Sequence, residues 1–408
     1  MRWAHLLSEA ERDLAHTVKV RRGIHQDPEV GLDLPRTQAR IREALDDLPL
    51  RVITGESCTS IVALLDGDAD GDEPGDTILL RADMDALPMA EATDLDFRSR
   101  VDAMHSCGHD AHSAMLVGAA RLLSARREQF RGRIAFMFQP GEEGHHGASA
   151  MLADGMLEHI ASDGAKRPSM AFAIHQTPMA PAGLVMTKTG PACASFDDLR
   201  ITIRGRGGHP SFPHETRDPL IAAADVITGL QALQARQSNA AEPFVITIGS
   251  IHSGTSGYLI PDEAVLDGCV FATSPHGRDV MHDLIRRVTN GVATAHGLSI
   301  DAEITDGYPL LVNHRAATRF VESIAEELVG RQSMWPVPNV AMSSEDFSVV
   351  LNEIPGTMVF LGTQPDGVSH PEPPHSPRMI LNEDAMASGA ALHASVALGW
   401  LDPARTTS

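Results

Sequence analysis

Four short, almost uninterrupted apolar runs constrain this fold most: "TSIVALL" at 59–65, "TILLRA" at 77–82, "RIAFMF" at 133–138 and "SMAFAIH" at 169–175. A run of that length without polar alternation buries both faces of a strand, which requires other layers on each side of the sheet. Between the second and third runs, "HSAMLVGAARLLSARR" (112–127) is apolar at helical spacing and basic in its last turn. Strand, helix and strand in that order predict an α/β layer on a mostly parallel sheet.

The pattern changes near residue 195. "DDLRITIRG" reads as a strand and residues 218–236 as a helix; 244–251 and 263–273 read as strands, 277–297 as a helix and 299–304 as a strand. That βαββαβ order predicts a small four-stranded sheet backed by two helices, ferredoxin-like in arrangement. The first pattern then resumes with a helix over 316–329, a strand over 357–362 and a helix near 383–400. A chain of 408 residues is long for one core. We therefore expect one catalytic domain over 1–191 and 306–408, interrupted by a module over 192–305.

Composition narrows the partners. With 43% hydrophobic and 21% charged residues the chain is of the globular class. Its net charge of −21 disfavours nucleic acid and anionic membranes. No stretch is apolar enough to span a bilayer, and residues 1–30 lack a signal-peptide pattern, so a cytoplasmic location is expected. Cys58, Cys107, Cys193 and Cys269 are too scattered for a disulfide scaffold. The acidic stretch "DGDADGDEPGD" (66–76) imitates a calcium loop but has Thr77 where the bidentate Glu belongs, so it reads as a solvated connector.

Chemistry-bearing residues gather just after the expected strands: Asp83 and Asp85, then Glu142 and Glu143, then His175, and late in the chain His370 and His375. Ligands bind at the carboxyl edge of open α/β sheets because the loops converge there. "MHSCGHDAH" (104–112) lies on a connection between two of these strands. Redox use of Cys107 is disfavoured because no C-x-x-C partner exists. A hydrolytic metal site needs one carboxylate on the ion and another to take a proton from bound water, and adjacent glutamates can divide those tasks. A zinc nucleobase deaminase is excluded, because the paired H-x-E and P-C-x-x-C signature is missing.

Taken in order, "RRGIHQDPEVG", "LRADMDALP", "MHSCGHDAH", "FQPGEEG", "IHQTP", "GRGGHPSFPH", "IPDEA", "SEDFS" and "HSP" resemble the aminoacylase and metal-dependent carboxypeptidase superfamily, in its hippurate hydrolase and auxin-conjugate amidohydrolase branch. The resemblance covers roughly residues 15–400. It implies hydrolysis of N-acyl amides by a metal-bridged hydroxide, with two divalent ions held by Cys107, His109, Glu143, His175 and His375. It implies further that Glu142 is the general base, that Asp85 orients a metal ligand and that His209 stabilises the oxyanion. His105 and His112 match no ligand position. The inserted module becomes a lid and homodimerisation surface. Manganese or zinc is the implied metal, with cobalt or nickel as substitutes; the donor set alone does not choose among them.

Two positions depart from the family pattern. Relatives carry an Asn before the "IP" turn and an Arg on the next strand, which grip the substrate carboxylate. Here Tyr258 and Phe271 stand in those places. Losing Arg removes a bidentate clamp. Either leaving-group recognition is altered, or the alignment slips and another group such as Arg278 takes over. Beside the hydrolase reading stands an inactive binding or sensor protein on the same scaffold. Intact Glu142, Asp85 and His209 argue against it.

Overall fold

The computed structural model describes residues 2–70 and 75–404. The apolar runs form the strands Ile61–Asp66, Asp76–Asp83, Gly132–Gln139 and Met170–Thr177, and the helical pattern between them becomes His109–Ser124. The chain divides into two compact units. The first comprises Met1–Gly190, Val312–Pro338 and Val349–Ser408; the second comprises Pro191–Leu311 and Asn339–Ser348.

The first unit is built on an eight-stranded sheet. Its middle is parallel, in the order Gly132–Gln139, Asp76–Asp83, Met170–Thr177 and Gly356–Gly362. These strands are almost wholly buried, as their unbroken apolar character requires. The flanks are less regular. Ile61–Asp66 runs antiparallel beside Gly132–Gln139 and pairs outward with Arg51–Thr54. Val185–Thr187 is antiparallel to Gly356–Gly362. The sheet is thus mostly parallel only in its middle, where strands are separated by crossover connections. Helices Ala4–His25, His109–Ser124 and Ala385–Trp400 pack on one another over a core that includes Leu6, Met115, Val117, Phe136, Phe172 and Leu392. Ala4–His25 and Pro35–Leu45 were not legible as helices; polar residues (Thr17, Arg21 and His25 in the first, Thr37 in the second) take positions on their buried faces.

Of the acidic connector, residues 71–74 lie outside the described residues. Asp66 is held by Arg133 through two hydrogen bonds of 2.6 and 3.0 Å, and Asp68 by Arg127 at 2.7 Å, so arginines occupy both carboxylates.

In the second unit four antiparallel strands lie in the order Ser299–Asp306, Ser195–Arg204, Glu263–Ala272 and Phe244–Ser253. Ser195–Arg204 alternates buried and open positions along its length, the signature of a sheet with one packed face. Leu199, Ile201, Ile203, Leu266 and Val270 pack against the helices Pro219–Gln237 and Pro275–His296. Both helices open on Pro behind a capping side chain. Asp218 accepts the N–H of Leu220 and Ser274 that of Gly277. This is the βαββαβ order expected from the sequence.

Candidate metal centre

The site of the first unit is assembled at the carboxyl ends of its parallel strands. Asp83 ends one strand, and its register partner Gln139 ends the next, immediately before the turn carrying Glu142 and Glu143. His175 lies near the end of Met170–Thr177, and His109 opens the helix His109–Ser124.

Cys107 and His109 are separated by a glycine for a steric reason. Gly108 has φ +88°, and a Cβ there would lie 2.6 Å from Nε2 of Gln176. That amide donates to the Cys107 carbonyl at 2.7 Å. Only glycine permits both the left-handed backbone and this approach.

Asp85 organises the glutamates. Its Oδ1 accepts the backbone N–H of Glu142 and its Oδ2 that of Glu143, both at 3.0 Å. The same Oδ1 lies 3.4 Å from Nδ1 of His109. His109 thereby turns Nε2 toward Glu142 and Glu143, at 4.0 and 3.9 Å. His175 gives its Nδ1 proton to the carbonyl of Gln176 at 2.6 Å, leaving Nε2 to face the Cys107 sulfur at 3.5 Å. His375 completes the group. Its Nε2 is 3.2 Å from Oε1 of Glu143, and its backbone N–H donates to the carbonyl of Ser106 at 3.0 Å. His375 holds φ at +65°, an uncommon region for a residue with a Cβ.

Ligand atoms converge in overlapping triads: Cys107, His109 and His175; Cys107, Glu143 and His375; His109, Glu142 and Glu143. Within each, the atoms lie within 4.8 Å of one another. Two of the triads share the Cys107 sulfur. A divalent metal fits this donor set. Nε2 of His109 is buried without a hydrogen-bond partner, a costly state that coordination relieves.

The electrostatics agree. Burial pushes the Cys107 thiol up, but the His175 and His109 rings outweigh it and bring it to about 6, favouring the thiolate that binds metal. Burial opposes the charged form of His109, yet Asp83 and Cys107 hold its proton affinity well above the ordinary value. Burial raises the Glu143 carboxyl most, but the His375 hydrogen bond and the charges of His109 and His375 together bring it below the ordinary value.

Other histidines of "MHSCGHDAH" behave differently. His105 is buried and pushed down to about 3, mainly by desolvation, and belongs to none of the ligand groups found among the described residues. His112 is brought down to about 4 by burial, against the opposing pull of Asp83, and is therefore neutral. It lies beside Asp83 and His109, but its Nδ1 is 2.6 Å from Oδ1 of Asp83 and its Nε2 accepts the N–H of Gln176 at 2.8 Å, so no lone pair remains for a metal. His370 is exposed. Two features went unread in the sequence. Arg81, fully buried inside an apolar run, pairs with Asp83 at 2.7 Å and Gln139 at 3.0 Å. Arg21 and His25 of "RRGIH" both reach the buried Asp110, at 3.0 and 2.8 Å. A charge within an otherwise buried run was the available signal.

His209, Tyr258 and Phe271 belong to the second unit. Nδ1 of His209 accepts the N–H of Ser211 at 3.1 Å, so a neutral ring carries its proton on Nε2. Tyr258 is 85% exposed. Phe271 is half-buried and sits opposite Phe196 in the sheet, with ring centroids 5.5 Å apart. Arg278, the other candidate for gripping a carboxylate, is already paired. Its guanidinium is bound to Asp197 at 2.5 and 2.9 Å and to Asp306 at 2.6 Å.

Comparison with known proteins gives a consistent result. The profile of peptidase family M20/M25/M40 matches residues 79–399. The chain is 35% identical over 385 residues to thermostable carboxypeptidase 2 of Saccharolobus solfataricus, covering 93% of this chain and 94% of the relative. It is 32% identical over 389 residues to IAA-amino acid hydrolase ILR1-like 4 of Arabidopsis thaliana, covering 94% and 85%. Among solved structures it is similar to the Bacillus subtilis YXEP protein, described as a dinuclear metal-binding peptidase. The TM-score is 0.77 at 30% identity, over 95% of this chain and 98% of that one. No helix among the described residues is long and apolar enough to cross a membrane.

Proposed function

The chain belongs to peptidase family M20/M25/M40 and is a hydrolase of linear amides, and from that premise we propose that it cleaves the amide bond of a small N-acylated substrate at a two-metal centre. The observation that carries this reading is the pair of ligand triads sharing Cys107, with Glu142 beside them. Cys107, His109, Glu143, His175 and His375 would hold the ions. Divalent ions bound there supply Lewis acidity toward the carbonyl and bring the pKa of water down to roughly 7. The metal is manganese or zinc, with cobalt or nickel as working substitutes, since one thiolate, three imidazoles and a carboxylate suit several of these.

The remaining work falls to side chains. Glu142 is the general base. It takes a proton from the attacking water and returns it to the departing amine, so its carboxylate is regenerated. Asp85 supports this by gripping the Glu142 and Glu143 amides and facing Nδ1 of His109. His209, with its proton on Nε2, donates to the oxyanion as the carbonyl becomes tetrahedral. The second unit acts as a lid.

Leaving-group recognition is altered. With Arg278 already engaged by two carboxylates, Phe271, packed against Phe196, offers an apolar ring where the family's Arg would stand, and Tyr258 stands exposed in place of its Asn. We assign the leaving group to amines without a free carboxylate, or bearing an apolar substituent. The protein works as a homodimer through the second unit. Phe244–Ser253 is an edge strand, and Ile251, Leu220 and Ile221 are exposed, which suits a second copy extending the sheet. The cytoplasm suits its four free cysteines.

Turnover of a panel of N-acyl amino acids, N-acyl amines and esters, with manganese or zinc supplied, tests the reading. Hydrolysis of the amides supports it. Binding without turnover of any member would identify a sensor instead.

A further inference from the structure

His112 lies on the helix that His109 opens, one turn further on, and its ring is packed among the site histidines: 5.4 Å between centroids to His109 and 4.7 Å to His175. It holds no free lone pair, so its value to the site must come through its neighbours. A backbone N–H can only donate, so Nε2 accepts from Gln176 and the proton sits on Nδ1, facing Oδ1 of Asp83. One neutral ring thus ties three elements together: the strand ending in Asp83, the helix bearing His109 and the strand bearing His175. Gln176 extends the chain of bonds. Its side chain donates to the Cys107 carbonyl at 2.7 Å and accepts from the Thr363 hydroxyl at 2.6 Å. Asp83 is held in turn by Arg81 and, through its carbonyl, by the Ser113 hydroxyl at 2.7 Å. Every member is buried.

We infer that His112, through Asp83 on one side and Gln176 on the other, is a positioning residue that fixes the separation of Cys107, His109 and His175 and so sets the metal affinity of the centre. Alternating donors and acceptors leave this chain of bonds one satisfied arrangement, which holds the three ligand-bearing backbones in register before any ion arrives. The inference rests on the metal-centre reading above.

Cobalt titration of the purified full-length protein tests it, read by calorimetry and by the thiolate-to-cobalt absorption of Cys107. His112→Asn keeps a donor for Asp83 but loses the acceptor for Gln176, and His112→Gln does the reverse. Each is expected to raise the cobalt Kd roughly tenfold to a hundredfold and to shift the absorption band. Thr363→Val, two bonds removed, is expected to do the same more weakly. Wild-type cobalt affinity within twofold and an unchanged spectrum, alongside a lowered melting temperature, would reduce His112 to core packing and overturn the inference. Should the His112 variants not fold, the same result for Thr363→Val overturns it. Absence of cobalt binding by the wild-type protein overturns the metal reading itself, and this inference with it.

Discussion

One oxygen of Asp85 receives the backbone N–H of Glu142 at 3.0 Å and lies 3.4 Å from Nδ1 of His109. A single carboxylate therefore fixes the turn that carries both glutamates and the imidazole that opens the neighbouring helix. Asp85→Ala leaves two buried amides unmatched and frees His109 to rotate. Metal affinity and kcat should fall together by roughly tenfold to a hundredfold. Asp85→Asn, which keeps one acceptor oxygen, should fall less. Calorimetric metal titration beside steady-state kinetics checks both.

Glu142→Gln keeps the shape of the turn and removes the proton acceptor. We expect kcat to drop by about 10² to 10⁴ while metal content stays at the wild-type level. Metal analysis of the purified variant separates this outcome from loss of the centre. Retained turnover would sink the mechanism.

Chelation should abolish hydrolysis, and manganese or zinc should restore it. Ion binding to the folded state alone raises stability by about 2.7 kcal/mol when free metal is a hundred times its Kd. The melting temperature should therefore rise with metal in the wild type and respond much less in Cys107→Ala, since both ligand triads around that sulfur are broken.

Phe271→Arg restores a cation on the strand that faces the leaving group in the proposed reading. The ratio of kcat/KM for substrates with a free carboxylate to those without should rise at least tenfold, about 1.4 kcal/mol. Competition between an N-acyl amino acid and its amide measures that ratio directly.

Acid should unfold the second unit through Asp197. Burial alone would raise this carboxyl, but hydrogen bonds from Arg278 and His282 and the N–H of Gly307 hold it below the ordinary value. A folded-state pKa that is depressed contributes stability above the unfolded value near 4 and loses it as pH falls through the folded value. Asp197→Asn should cost roughly 1.5–3 kcal/mol at neutral pH and flatten the acid limb. Thermal melts between pH 7 and pH 3 report both effects.

Much of this protein was fixed by pattern. Short unbroken apolar runs determine buried strands because they are too short for helices buried all round, such as Ala385–Trp400, and the capped, Pro-initiated helices of the second unit are local features. The candidate site residues were legible for a similar reason: Glu142, Glu143 and His175 follow strands, where an α/β sheet collects its chemistry, while Cys107 and His109 stood out through the family resemblance. Spacing could not reveal what holds them. That Gly108 exists to admit Gln176, that His112 is consumed by Asp83 and a backbone amide, and that Arg278 is spent on Asp197 and Asp306 depend on contacts between residues 28 to 81 positions apart. Hydrogen bonds between distant residues are short-ranged and directional, so they leave no period in the sequence. The residues named the chemistry, and the packing of strand ends decided which imidazoles were left with lone pairs to offer.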